Sequence, residues 1–199
     1  MIHPKTELKF INDTIGYGVV ATEFIPAGTI TWVLDKLDRI FTPKDFNAME
    51  TTYKDILETY AYRNSKGNYI LCWDHGRFVN HSFKSNCLTT AYDFEIAVRD
   101  INKGEQLTDD YGYLNVSEPF EGIDEGTERK TVYPDDLLKY HKVWDNQLLE
   151  VFKKIVINNQ PLKHLVTDKM WNKTERIAQG KEEMKSILTN YYNATHQQK

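Results

Sequence analysis

Two segments of the sequence decide the fold that we predict for this chain. Residues 77–82 read Arg-Phe-Val-Asn-His-Ser, and residues 104–112 read Gly-Glu-Gln-Leu-Thr-Asp-Asp-Tyr-Gly. In the first segment, the polar pair Asn80 and His81 directly follows two apolar residues. A buried polar group without a hydrogen-bond partner costs roughly 1–3 kcal/mol. We therefore expect both side chains either to bond within the protein or to contact a ligand.

Three interpretations of Asn80 and His81 are open on this evidence. In the first, both side chains hydrogen-bond to backbone within a β corner. The second is a metal site, which has too few ligands. No second histidine or cysteine lies at a useful spacing, and His75 is the nearest candidate. In the third, the pair forms a polar cofactor site with Tyr111 and with residues 16–18, Gly-Tyr-Gly, where glycines allow close backbone approach. Taken alone, the two glycines favour a hairpin turn.

Other common chemistries lack their motifs. Ser82 is not part of a Gly-x-Ser-x-Gly nucleophile elbow. The glycines at 16 and 18 are not followed by a third glycine or by a convincing helix, so a nucleotide-binding loop is not predicted.

Composition restricts the class of protein. The 199 residues, 40% of them hydrophobic, suffice for one good core. A net charge of −4 and an isoelectric point of about 5.9 argue against general nucleic-acid binding. Cys72 and Cys87 are too few for a disulfide scaffold and indicate reduced thiols. Because no signal-peptide pattern or membrane-length apolar run is seen, we expect an intracellular, cytoplasmic protein (nuclear in a eukaryote) with no membrane partner and an open oligomeric state.

Short strands are predicted over residues 5–34 and 69–112, and glycine-containing turns between them indicate a β-rich fold. Residues 42–61 predict one helix, with Thr42 as N-cap and Pro43 in the first turn. Its apolar stripe predicts core packing: Phe46, Met49, Tyr53, Ile56, Leu57 and Tyr60. After a polar stretch, two more helices are predicted, with apolar faces over residues 137–155 and 170–191.

Four blocks of sequence, in the family's order, resemble SET-domain protein lysine methyltransferases. They are residues 16–28, the Arg-Phe-x-Asn-His-Ser motif at 77–82, Asn86-Cys87, and the Gly-Glu-Glu-Leu-Thr-x-Asp-Tyr-Gly-like motif at 104–112. The resemblance implies a mostly β, β-clip-like fold of small curved sheets with knot-like threading. An inserted helix and an α-helical C-terminal extension complete the expected fold.

The resemblance also divides the chain into three expected regions. Residues 5–114 would form the SET-like catalytic domain, with the helical insert at about 42–61. Residues 115–132 would be a linker that replaces a cysteine-containing segment of the family, and residues 133–192 a helical extension.

The implied function is S-adenosylmethionine-dependent methyl transfer to the ε-amino group of a lysine in a protein substrate. A basic or histone-like protein is the expected substrate. The implied cofactor residues are Gly16, Tyr17, Gly18, Arg77, Asn80 and His81. Tyr111 would be the catalytic residue, and Tyr60 and Asp109 would line the substrate channel. The alternative is a catalytically inactive SET-fold binding or scaffold protein.

Three departures from the family pattern bear on that choice. Leu34 stands where many members have a tyrosine, and Asp109 stands where the family often has Phe or Tyr. No cysteine follows Cys87, so no zinc is expected. The C-terminal aromatic residues either close the site in place of the missing segment or simply pack the helices together.

Overall fold

A computed structural model describes residues 1–193 of the chain, which fold into several small sheets and four α-helices. The strands are β1 (Thr6–Asn12), β2 (Gly16–Ala21), β3 (Ile30–Val33), β4 (Arg39–Phe41), β5 (Ala61–Arg63), β6 (Tyr69–Leu71), β7 (Asn80–His81), β8 (Cys87–Thr89), β9 (Phe94–Ala97), β10 (Thr108–Asp109), β11 (Phe120–Glu121) and β12 (Thr131–Val132). The helices are α1 (Pro43–Ala48), α2 (Thr51–Tyr60), α3 (Asp136–Phe152) and α4 (Asp168–Ala178). Short 3-10 helices span His75–Phe78, Tyr111–Tyr113, Lys163–Leu165 and Ile187–Asn190. None of the helices within residues 1–193 is long and apolar enough to cross a membrane.

Five sheets of two or three strands make up the β part of the molecule. The orders are β1-β2, β3-β9-β8, β4-β6-β5, β7-β10 and β11-β12. Only β7 and β10, among the described strands, pair in parallel, and they belong to the two motif segments. The expectation of small sheets with helices is therefore confirmed in this coarser form, and knot-like threading stays a prediction.

The predicted helix over residues 42–61 is two helices. Thr42 does cap α1, in a capping box with Asp45, as the sequence predicts. The chain then leaves the helix at Met49, which is extended (φ −79°, ψ 156°), and α2 begins two residues later. The prediction that the apolar stripe forms core was wrong. No residue of α1 is buried, and in α2 only Leu57 is buried while Tyr53 is exposed.

The C-terminal helices share one hydrophobic core with the central sheet. Side chains of β3, β8 and β9 and side chains of α3 and α4 belong to the same buried cluster, which includes Ile30, Leu88, Phe94, Trp144, Leu148, Phe152 and Trp171. The ring of Trp144 meets the ring of Tyr113 edge-on at 5.3 Å. The aromatic residues of α3 therefore pack against the β part, directly behind the turn that carries Tyr111.

The last helix is shorter than predicted. The apolar spacing over residues 170–191 predicts one long helix, but α4 ends at Ala178. Gly180 adopts φ +69°, a conformation that ends helices readily because glycine has no side chain to clash. The chain then turns back to α3, where Asp145 accepts hydrogen bonds from Ser186 Oγ (2.6 Å) and from the backbone nitrogen of Ile187 (2.8 Å).

Arg129 fastens the segment between residues 115 and 132 to the rest of the fold. Its guanidinium binds the buried carboxylates of Asp110 and of Asp136, the latter at 2.6 Å. It also lies over the ring of Tyr140, 4.6 Å from the centroid. One side chain thus joins the linker, the start of α3 and the turn that precedes Tyr111.

We predict that Arg129→Leu lowers the free energy of unfolding by about 3 kcal/mol, because two buried carboxylates lose their cation. The matched control is Lys130→Leu, whose ion pair with Asp124 is exposed and should leave stability unchanged. Urea denaturation measures both variants. Equal midpoints for the two variants would contradict the assigned role of Arg129.

We also predict that Trp144→Ala destabilises the whole protein by about 3–5 kcal/mol, because it opens a cavity between α3 and the β core. Val143→Ala, on the exposed face of the same helix, should change stability by less than about 0.5 kcal/mol. Thermal unfolding followed separately by tryptophan fluorescence and by circular dichroism gives the measurement. Two separate transitions for the wild type would show that the C-terminal helices fold apart from the sheets.

Candidate functional site

The two motif segments lie side by side through the pairing of β7 with β10. Asn80 pairs with Thr108 and His81 with Asp109, and the nitrogen of Ser82 donates to the Asp109 carbonyl at 2.9 Å. The buried amide of Asn86 adds two bonds, from its Nδ2 to the Gln106 carbonyl (2.7 Å) and from the Thr108 nitrogen to its Oδ1 (2.9 Å). These bonds bring segments that are distant in sequence to one position.

Tyr111 is held from both ends by the first motif segment. Its hydroxyl donates to the Val79 carbonyl at 2.7 Å, and its backbone nitrogen donates to Nδ1 of His81 at 3.2 Å. Burial, chiefly, raises the pKa of Tyr111 above its ordinary value, so the phenol keeps its proton at neutral pH. The hydroxyl is thus a fixed dipole and not a proton acceptor.

The imidazole of His81 lies between aromatic rings. Phe83 meets it edge-on at 4.5 Å and Phe120 at 5.4 Å. Because Nδ1 accepts the Tyr111 hydrogen bond, the neutral ring carries its proton on Nε2. Nε2 is buried beside Gly122 and has no partner within residues 1–193. Burial, chiefly, lowers the pKa of His81, which favours the neutral ring.

Asn80 connects β7 to the Gly-Tyr-Gly stretch. Its Nδ2 donates to the Tyr17 carbonyl at 3.0 Å and to Oε1 of Gln106 at 3.2 Å. A Cβ at Gly18 would lie only 2.7 Å from Nδ2 of Asn80 and 2.5 Å from Oε1 of Gln106. Residue 18 must therefore be glycine for this approach. The structure brings Tyr17 and Gly18 to Asn80, whereas Gly16 pairs with Asn12 at the start of β2.

Arg77 takes a different position from the other predicted cofactor residues. Its Nη1 donates to the carbonyls of Cys72 (3.4 Å) and Trp73 (3.3 Å), and the guanidinium lies over the Phe78 ring. These contacts brace the loop before Asn80.

Two depressions lie on either side of this segment. The smaller, of about 360 Å³, is lined by Asn80 and His81 together with ionic side chains, namely Lys84, Arg99, Glu105 and Glu125. The larger, of about 470 Å³, is lined by Val79, Tyr111, Tyr60, Arg77 and Asp109 among others. Since Val79 precedes Asn80 directly, one short stretch of backbone borders both depressions.

The larger pocket has aromatic walls and an acidic interior. Trp32, Tyr60, Tyr62, Tyr69, Tyr111 and Phe120 contribute rings. Asp109 is only 4% exposed, and its Oδ1 accepts a hydrogen bond from the Tyr113 hydroxyl at 2.8 Å. Glu95 also lines the pocket and interacts with Asp109. Burial is the main cause that raises the pKa of both carboxyl groups. The pKa of Asp109 is raised to about 7.

Sequence reasoning missed two acidic residues of the site. Glu95 lies in an alternating strand, where a polar residue is expected to face solvent, and no local signal separates solvent from a pocket. Glu125 comes from the polar linker, yet it accepts hydrogen bonds from Ser82 Oγ and from the Phe83 nitrogen, both at 2.7 Å. No cluster of three or more metal-ligating side chains occurs among residues 1–193.

Comparison with known proteins agrees with the motifs. A family model described as the SET domain matches residues 16–112. Histone-lysine N-methyltransferase ASHH2 of Arabidopsis thaliana is 28% identical over 127 residues, an alignment that covers 54% of this chain and 7% of that protein. The chain thus spans only about 7% of the length of this relative. A crystal structure of a candidate histone methyltransferase from Plasmodium falciparum aligns with a TM-score of 0.41 and 16% identity, over 63% of this chain and 100% of that chain.

The family match includes both motif segments, the parallel strand pair that joins them and the Gly-Tyr-Gly stretch that contacts Asn80. Residues 16–112, about half of the chain, match the SET-domain family.

Proposed function

We propose that this protein transfers methyl groups from S-adenosylmethionine to the ε-amino group of a lysine in a protein substrate. The observation that carries the proposal is the position of Tyr111. Its backbone bonds to His81, which lines the smaller depression, while its side chain lines the larger pocket. A single residue therefore stands between a candidate donor site and a candidate acceptor site.

The charged side chains that line the smaller depression match the charged groups of S-adenosylmethionine. The amino-acid part of the cofactor carries both an ammonium and a carboxylate, and the depression offers Glu105 and Glu125 alongside Lys84 and Arg99. The orphaned Nε2 of His81 is a buried donor that lacks an acceptor. The missing side chain at Gly18 lets Asn80 and Gln106 pack directly against the backbone of residues 16–18. Asn80, His81 and the Gly-Tyr-Gly backbone would hold the cofactor.

The larger pocket suits a lysine side chain. Aromatic walls can bury the aliphatic stem while the charged end reaches acidic groups. Four carboxyl groups line the pocket, from Glu58, Glu95, Asp109 and Glu118, against two guanidinium groups, from Arg63 and Arg77. The balance favours a basic segment of a protein substrate.

The chemistry requires alignment more than activation by the protein. S-adenosylmethionine, when bound, supplies a methyl group already activated on a sulfonium sulfur. The residues of this chain have to orient the amine, exclude water and promote loss of its proton, because lysine has a reference pKa of about 10.4. The fixed hydroxyl of Tyr111, at the pocket wall, is placed to orient the amine or to interact with the polarised methyl group.

We expect the wild type to transfer labelled methyl groups to basic proteins, and Tyr111→Phe to lower kcat at least about tenfold. The hydroxyl is lost from the wall of the pocket, and the Val79 carbonyl loses its hydrogen bond. Tyr133→Phe, which changes an exposed tyrosine of the linker region, is the matched control. Mass spectrometry of the labelled protein should locate the mark on lysine Nζ.

Two outcomes would contradict the proposal. Cofactor binding without transfer to any protein in an extract would favour a SET-fold binding or scaffold protein. Equal rates for Tyr111→Phe and wild type would remove Tyr111 from the reaction.

We further expect Asn80→Ala to weaken S-adenosylmethionine binding by roughly tenfold or more, because the Tyr17 carbonyl and Gln106 lose their donor. Asn172→Ala, at an exposed position of α4, should bind as the wild type does. Isothermal calorimetry with the cofactor measures both variants, and circular dichroism confirms that each is folded. Unchanged affinity in Asn80→Ala would place the cofactor elsewhere.

A further inference from the structure

Two carboxyl groups in the lining of the larger pocket interact directly with each other. Glu95 comes from β9 and Asp109 from β10, and both line the pocket. An ionised carboxylate can only accept hydrogen bonds, so a bond between two carboxyl groups requires a proton on one of them. Two carboxyl groups that share one site do not both ionise readily, which favours a state with one proton and one negative charge.

No cation neutralises this pair. Among residues 1–193, neither Glu95 nor Asp109 forms an ion pair. The neighbouring Asp110 is different, because Arg129 binds it directly. A buried carboxylate without a cation becomes easier to protonate, which agrees with the raised pKa of both groups.

A second polar group in the same pocket also lacks a partner. The indole nitrogen of Trp32 has no hydrogen-bond acceptor within residues 1–193, although the residue is only 4% exposed. Trp32 lies opposite Glu95 across β3 and β9. Its Nε1 edge faces Gly76, another residue of the pocket lining, where an added Cβ would lie 3.5 Å from Nε1. The lining of one pocket thus contains an unpaired donor and carboxyl groups without an ion-pair partner among residues 1–193.

We propose that Glu95 and Asp109 together accept the proton of the substrate lysine, an inference that rests on the proposed function. The ammonium first pairs with the single negative charge. One N–H bond then breaks and one O–H bond forms, which leaves a neutral amine and a doubly protonated, uncharged pair. The nitrogen lone pair becomes free to form the new N–C bond, and the extra proton of the pair returns to solvent after the product leaves.

The surroundings of the pair allow this cycle. The hydrogen bond from the Tyr113 hydroxyl lowers the pKa of Asp109, and the nearby charge of Asp110 raises it. The positive amino group of Met1 lowers the pKa of Glu95. The thiols and phenols that interact with the pair stay protonated, because burial raises their pKa; they are Tyr62, Cys72, Cys87, Tyr111 and Tyr113. The remaining charged groups of the pocket are Glu58, Arg63, Arg77 and Glu118. Tyr111 keeps its own proton, and Glu58 and Glu118 are exposed, so the carboxyl pair is the proton acceptor in the buried part of the pocket.

The first measurement needs no substrate. Carbon-13 NMR of protein labelled at the Asp and Glu carboxyl carbons should show a group that titrates near pH 7 in the free protein, far above the reference values of about 3.9 and 4.3. That titration should move to lower pH in Glu95→Gln, where an amide replaces the shared proton with a permanent donor. Complete ionisation of all carboxyl groups well below pH 7 would overturn the proposal, whether or not the protein transfers methyl groups.

The second measurement is the pH dependence of methyl transfer. Wild-type kcat/KM should rise with pH through about 7, as the doubly protonated pair loses one proton. Glu95→Gln and Asp109→Asn should be about 100-fold slower at pH 7. Their deficit should shrink as the pH approaches the lysine pKa of about 10.4, because solution then removes the proton. Glu150→Gln, exposed on α3, is the matched control.

The outcomes separate the two proposals. Wild-type transfer with unchanged pH profiles in both variants would keep the proposed function and overturn the role of the pair. A deficit that stays constant at all pH values would assign the pair to packing and also overturn that role. Absence of transfer by the wild type at every pH would overturn the proposed function, and the proton-acceptor proposal with it.

Discussion

The parallel pairing of β7 with β10 is the constraint on which the site depends. Parallel neighbours cannot be joined by a tight turn, so the chain between residues 81 and 108 leaves, forms β8 and β9, and returns. Asn86 secures the return through its two bonds to the backbone of residues 106 and 108. Tyr111 follows directly after β10, and its hydrogen bonds to Val79 and His81 are possible only in this register. A shift of one residue would turn Asp109 and its neighbours to the opposite face.

Local rules predicted the elements better than their arrangement. The capping box at Thr42 and the buried face of α3 depend on residues close in sequence, and the structure contains both. The break at Met49 was not predicted, because the apolar spacing continues through it while the backbone does not. The motif blocks indicated that Asn80 and Tyr111 form one site, but only the fold shows which side chains complete it. Glu95 has the pattern of an outward strand residue, and its direction depends on strands that are paired through tertiary structure.

Adjacent carboxyl groups at positions 109 and 110 have opposite electrostatic environments. Asp110 caps the turn that contains Tyr111 and is neutralised by Arg129 from the linker. Asp109 enters the pocket and meets a second carboxyl group instead of a cation. Successive side chains of an extended chain point to opposite sides. Asp110 therefore binds Arg129 of the linker, while Asp109 lines the pocket. The segment that follows the Tyr motif is thus fixed by charge and aromatic contacts.

An acidic pair without a cation is a cost to the folded protein that a ligand can remove. Replacing buried ionic groups by well-packed apolar ones is often neutral or stabilising, so the fold itself does not require Glu95 and Asp109. A ligand that brings a positive charge into the pocket neutralises the pair and binds the folded state alone, which stabilises that state by mass action. The lysine side chain that we propose as substrate would meet this requirement, because its stem would lie between aromatic walls and its charge would reach the pair. Burial, which raises the pKa of Asp109, would also lower the pKa of a lysine amine that enters the pocket. Both effects act in one direction, towards a neutral amine beside Tyr111.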